Sequence, residues 1–149
     1  MTLPLDPDAD EPGPSSPRAS SVLVFLGGAA GTTVRHLLEK AHPVAVGGWP
    51  TATFAINVAG SFLLGLLLEG LLRNGPDVGR RHRLRMLLGT GFCGGFTTYS
   101  TMALEVDHLG RAGAWTTVVT YPVISLLLGV LAAGLGVVMA KRVVPGRVS

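Results

Sequence analysis

GTGFCGGFTTYSTMALE, residues Gly89 to Glu105, is the stretch on which the fold turns. Gly91, Gly94 and Gly95 are poor helix residues, and Thr97, Thr98, Ser100 and Thr101 follow at once. Glycine costs a helix about 1 kcal/mol relative to alanine, and paired glycines beside hydroxyl residues are where helices kink or break. A break inside a membrane frees backbone carbonyls and amides, which hydrocarbon tolerates only where protein, water or an ion satisfies them. Carbonyls released in this way are ligands for a hard cation such as Na+. The plainer alternative is a flexible kink, with threonine hydroxyls bonded to the preceding turn.

Composition makes hydrocarbon the relevant solvent. Apolar residues form 48% of the 149-residue chain and charged residues 14%, with a mean hydropathy of +0.48. Soluble domains carry about 25% charged residues, because water must wet their surface. The 21 glycines point the same way, since small residues let membrane helices approach closely. Cys93 is alone, which excludes an intrachain disulfide and a thiolate metal cluster.

Working outward, four apolar segments are expected to span: about Val22 to Leu38, Ala52 to Leu72, Leu84 to Leu104 and Trp115 to Ala140. A hydrocarbon core about 30 Å thick takes about 20 helical residues. The connections HPVAVGGWP, RNGPDVGRRHR and DHLGRAGA are short, so neighbouring helices must run antiparallel. Residues 1–21 are rich in Pro, Asp and Ser and are expected to form a disordered tail. They are not expected to act as a signal peptide, being acidic ahead of the first apolar run. Residues 22–140 form the membrane domain, and 141–149 a short basic C-terminal tail.

Orientation follows from the basic residues in the flanks. The tails and the second loop share nine of them: Arg18, Arg73, Arg80, Arg81, Arg83, Arg85, Lys141, Arg142 and Arg147. The opposite side has three, Arg35, Lys40 and Arg111. Both termini are therefore expected in the cytoplasm, in a multi-pass protein of the plasma membrane.

Two spans carry stripes that an anchor would not need. Thr53, Asn57, Ser61, Gly65 and Glu69 recur every four residues in the second, and Thr117, Tyr121, Ser125, Gly129 and Ala133 in the fourth. Each step of four drifts about 40° round a helix, so each stripe winds slowly along one side. Small and hydroxyl residues there read equally well as helix–helix packing. Asn57 does not, because a carboxamide in mid-membrane brings two donors and an acceptor that all need partners. No carboxylate falls near the middle of a span, which argues against a proton-coupled carrier. The four histidines have no ligand spacing, and no nucleophile–base pair or phosphate-cradling loop stands out, so enzymatic activity is not expected.

GGAAGTTVRHLL (Gly27–Leu38), WPTATFAINVAGSFLLG (Trp49–Gly65) and GFCGGFTTYSTMALE (Gly91–Glu105) together resemble the Fluc/CrcB family of fluoride channels. The resemblance covers roughly residues 22–140 and leaves only the tails outside it. It implies an all-α membrane protein of four transmembrane helices with the third broken, assembled as an antiparallel dimer with two narrow pathways. The implied function is a fluoride-specific channel that passively exports fluoride and so lowers its toxic cytoplasmic concentration. The implied ion-pathway residues are Asn57, Tyr99, Ser100, Met102, Tyr121 and Ser125, with Arg35 near the vestibule. A structural Na+, not transported, is implied at the dimer centre on the carbonyls of Gly94 and Thr97. The expected partners are fluoride, membrane lipid and a second subunit, with no nucleic acid.

The chain departs from that pattern twice. Where the family carries phenylalanine at two positions flanking the path, this sequence has Tyr99 and Met102. Methionine keeps the volume but lacks the ring edge that can face an anion. The nine-to-three charge bias also favours one orientation, whereas an antiparallel homodimer needs a chain that inserts both ways. Both departures favour pairing with an oppositely oriented homologous subunit. The rivals are a small four-helix proton-coupled carrier, which a pH gradient driving uptake would reveal, and a non-transporting membrane scaffold.

Overall fold

The structure, a computed structural model, describes residues 17–144. Every regular element among them is helical. Helix α1 spans Pro17–Ala41 and α2 spans Thr51–Arg73. The third segment opens with α3, Gly79–Leu84, continues as a π-helical stretch over Arg85–Cys93, and ends in a single turn, α4, at Gly94–Phe96. After an interruption the chain resumes as α5, Ser100–Arg111, and closes with α6, Trp115–Val143.

Three of these helices, α1, α2 and α6, are long and apolar enough to cross a membrane. The third segment is not one of them; its helical run from Gly79 ends at Phe96, and helix resumes only at Ser100. Of the expected N-terminal tail, 17–21 form the first turns of α1 rather than a tail. Proline suits a helix start, where its missing N–H has no partner to lose. Residues 1–16 and 145–149, the remainder of the tail and most of the C-terminal one, lie outside the described residues.

Backbone proximity, more than bulky side chains, holds the helices together. α2 and α6 pack along most of their length. A Cβ placed on Gly65 would run into the carbonyl of Ala133, and one on Gly136 into the carbonyl of Phe62. α1 lies against the third segment and touches α2 little. Its Gly27 and Gly31, one turn apart, are both buried, and a Cβ on either would strike the backbone of the π-helical stretch. This is close packing through small residues, the means by which helices associate where lipid removes the hydrophobic drive. Bulky residues point the other way: Leu126 and Leu135 of α6 are 69% and 64% exposed, as a lipid-facing surface requires.

Candidate functional site at the helix break

The third segment breaks within its threonines rather than at its glycines. Gly94 keeps helical geometry, with φ −64° and ψ −34°, whereas Thr97 is extended, with φ −78° and ψ 156°. Both features expected of the stretch occur together. The helix is broken, and the Thr97 hydroxyl donates to the Cys93 carbonyl one turn back, at 2.9 Å.

Asn57 holds the break open. Its Nδ2 donates to the Thr98 carbonyl at 2.9 Å, and its Oδ1 accepts the Thr98 N–H at 2.8 Å. The carboxamide thus stands in for the helical neighbours that Thr98 has lost. A second N–H remains on Nδ2. On the other side of the break, the Gly95 carbonyl accepts from Arg35 Nε at 3.2 Å and from the Thr32 hydroxyl at 3.4 Å. Arg35 also donates from Nη1 to Thr101 Oγ1 at 3.2 Å, and its charge is met by Glu39 at 3.6 Å. The Thr98 hydroxyl accepts the Thr101 N–H at 3.1 Å, satisfying an amide at the start of α5.

Among the described residues the five carbonyls from Gly94 to Thr98 lose their ordinary helical donors, and those of Gly94, Phe96 and Thr97 gain no other. In a continuous helix Thr98 N–H would bond to Gly94, and Thr101 N–H to Thr97. Both amides are diverted, the first to Asn57 and the second to the Thr98 hydroxyl. The carbonyls of Gly94 and Thr97 are therefore hard oxygen donors beside an open surface, which is the chemistry a hard cation takes.

That surface is a groove of about 560 Å³ running between α2, α6 and the break. Asn57, Gly94, Thr97, Tyr99, Met102 and Ser125 all line it. Tyr99 is 77% exposed and stands at its edge. Ser125 Oγ donates to the Tyr121 carbonyl at 2.7 Å, so its proton is committed within α6 and its oxygen is what it offers. Gly60, Ser61 and Gly129 keep the groove wall low.

Three expected site residues lie elsewhere. Arg35 is behind the break, on the α1 side. Ser100 is exposed and interacts with the Thr98 hydroxyl at 3.2 Å. Tyr121 is fully buried, with Trp49 edge-on against its ring at 5.5 Å. Its hydroxyl donates to Glu105 Oε2 at 2.6 Å, and buried Thr53 donates to Glu105 Oε1, also at 2.6 Å. This carboxylate cluster joins α2, α5 and α6, and Glu105 is assigned no role from the sequence alone. The available signal was chemical: three polar residues in apolar segments, each needing a partner.

Fold and site define a small all-helical membrane protein built round a broken helix and a polar-lined groove. The family model described as CrcB-like protein, Camphor Resistance (CrcB), matches residues 22–137, and the chain belongs to that family. A protein of Cutibacterium acnes named fluoride-specific ion channel FluC 1 is 42% identical over 125 residues, covering 84% of this chain and 87% of its own. Fluoride-specific ion channel FluC 2 of Leifsonia xyli subsp. xyli is 43% identical over 124 residues, 83% of this chain and 85% of its own. Fluoride-specific ion channel FluC of Chelativorans sp. is 40% identical over 123 residues, 82% of this chain and 96% of its own.

Proposed function

We infer that the chain is one subunit of a channel that lets fluoride leave the cell passively across the plasma membrane. The observation that carries this is the groove at the break, where Asn57, Tyr99, Met102 and Ser125 meet on one open face. Membership of the CrcB family, with relatives named as fluoride-specific channels, supplies the ion. Fluoride is small and strongly hydrated, so a pathway must offer hydrogen-bond donors in place of water. The second N–H of Asn57 is such a donor, and the partly positive ring edge of Tyr99 can face an anion. A negative interior drives the anion outward with about 2.3 kcal/mol for each 100 mV.

The interrupted third segment, from α3 to α5, makes the fourth crossing, and both termini are cytoplasmic. An open groove completes a narrow path only against another surface. The second subunit, inserted in the opposite sense, covers it. Met102 and the basic bias of one face favour a homologue over a second copy of this chain. The carbonyls of Gly94 and Thr97 would hold a structural Na+ at the centre of that dimer, where its charge would lower the cost of dehydrating an anion.

Expression in a fluoride-sensitive bacterial host tests the function. Lower cytoplasmic fluoride and restored growth are expected when the chain is expressed with an oppositely oriented homologue. No change in either, with both proteins in the membrane, would refute a fluoride channel. A stable, fluoride-conducting antiparallel dimer purified from this chain alone would overturn the mixed pairing and leave the channel standing.

A further inference from the structure

At the far end of α2 from Trp49, where the chain turns into α3, lies a separate recess of about 330 Å³. Leu68, Leu71 and Leu72 form its apolar floor, and Asp77, Arg81 and Arg85 its polar rim. Leu72 is 70% exposed. α2 is long and apolar enough to cross a bilayer, which puts its last turns where acyl chains would meet headgroups.

The rim carries uncompensated positive charge. Arg81 donates from Nη1 to the Pro76 carbonyl at 3.1 Å, a contact that neutralises nothing. Arg85 pairs with Asp77, whose Oδ2 also lies 3.3 Å from His82. Even so, Arg85 Nε is buried with no hydrogen-bond partner among the described residues. Asp77 thus pairs with Arg85 and not with Arg81, whose guanidinium has no carboxylate partner among the described residues, and one Arg85 N–H still lacks an acceptor. Arg80 and Arg83 are exposed on the same short helix. Arg73 Nε donates to the Val144 carbonyl at 2.8 Å, bringing the end of α6, with Lys141 and Arg142, to this corner.

We propose that this corner binds an anionic phospholipid of the surrounding bilayer, its phosphate between Arg81 and Arg85 and one acyl chain along Leu68, Leu71 and Leu72. Free phosphate would leave the leucine floor bare. A zwitterionic lipid brings its own cation to a rim already positive. The site does not depend on what the groove at the break conducts.

Calorimetric titration of the full-length protein, delipidated in a neutral detergent, tests it. The probes are short-chain phosphatidylglycerol, phosphatidylcholine with the same chains, and inorganic phosphate. Saturable binding of phosphatidylglycerol alone is expected. Arg81→Gln with Arg85→Gln should weaken it about tenfold or more, each arginine near an anionic headgroup being worth roughly a factor of five. Arg80→Gln with Arg83→Gln removes the same charge outside the recess and should leave the affinity within about twofold. Equal losses in the two pairs would mean diffuse surface attraction and overturn the site, as would equal binding of phosphatidylcholine or of inorganic phosphate. If circular dichroism shows the Arg81/Arg85 variant misfolded, Arg81→Gln alone takes its place, with a loss of about threefold or more expected and an unchanged affinity contradicting the site.

Discussion

Asn57 and Thr98, 41 residues apart in sequence, bond to each other as two strands would, with Nδ2 giving to the carbonyl at 2.9 Å and Oδ1 taking from the amide at 2.8 Å. Asn57 is thus as much a part of the backbone at the break as of the groove wall. Replacing it with alanine leaves a carbonyl and an amide unsatisfied together, at about 1–3 kcal/mol each where water is excluded. The melting temperature of Asn57→Ala in detergent should fall markedly. Asn57→Asp keeps the acceptor but sets a carboxylate oxygen against the Thr98 carbonyl, so it should not restore the wild-type melting temperature. A melting temperature unchanged in the alanine variant would show that the break stands without its clamp.

The two faces of α6 give a paired test of helix packing. Gly136 is buried against the Phe62 carbonyl, whereas a Cβ at exposed Gly134 would meet nothing within 4 Å. Gly136→Ala should destabilise the protein by about 1–3 kcal/mol through overpacking. Gly134→Ala, two positions away, should be neutral or stabilise by up to about 1 kcal/mol. Thermal unfolding of the two variants side by side decides it, and equal effects would contradict the close approach of α2 and α6.

Arg35 reaches the Gly95 carbonyl and the Thr101 hydroxyl with different nitrogens of one guanidinium. Lysine keeps the charge but replaces the planar two-nitrogen fork with a single ammonium, so the paired contact is not reproduced. Arg35→Lys should therefore be destabilising, by about 1–2 kcal/mol for one lost charged hydrogen bond. Limited proteolysis near the break would report it as faster cleavage. A lysine variant as resistant as wild type would reduce Arg35 to a surface charge.

Asp77 supplies a pH test outside the membrane-spanning helices. The Arg85 guanidinium hydrogen-bonded to it holds its carboxyl below the usual carboxylate range, with partial desolvation opposing and His82 assisting. Because the folded value is depressed, its stabilising contribution is present above the unfolded pKa of about 3.9 and is lost as pH falls through the folded value. The difference in melting temperature between wild type and Asp77→Asn should be visible at neutral pH and shrink below about pH 4. Partial exposure keeps it small. A difference that stays constant down to pH 3 would show that the ion pair carries none of it.

What was legible in the sequence followed from local chemistry. The apolar runs gave three of the helices, and the Gly94–Thr101 stretch gave a broken third segment. Where the chain breaks was not legible, because Thr98 leaves the helix to meet a carboxamide from α2, and no local period encodes that contact. The π-helical turns over Arg85–Cys93 were equally hidden, since Gly27 and Gly31 of α1 press directly on that backbone. Tyr121 was placed on a polar track, and its four-residue spacing with Ser125 is real. The fold nevertheless turns its hydroxyl to Glu105 rather than into the groove, a partner chosen by tertiary packing.

Fluoride release from liposomes is the most direct test of the central claim, that the groove at the break conducts fluoride. The full chain would be reconstituted with an oppositely oriented homologue in sodium buffer, with fluoride inside and an electrode outside, and with chloride-loaded vesicles as the control. Rapid release of fluoride with chloride retained is the predicted result. Folded protein that releases neither ion, or both at similar rates, would contradict it.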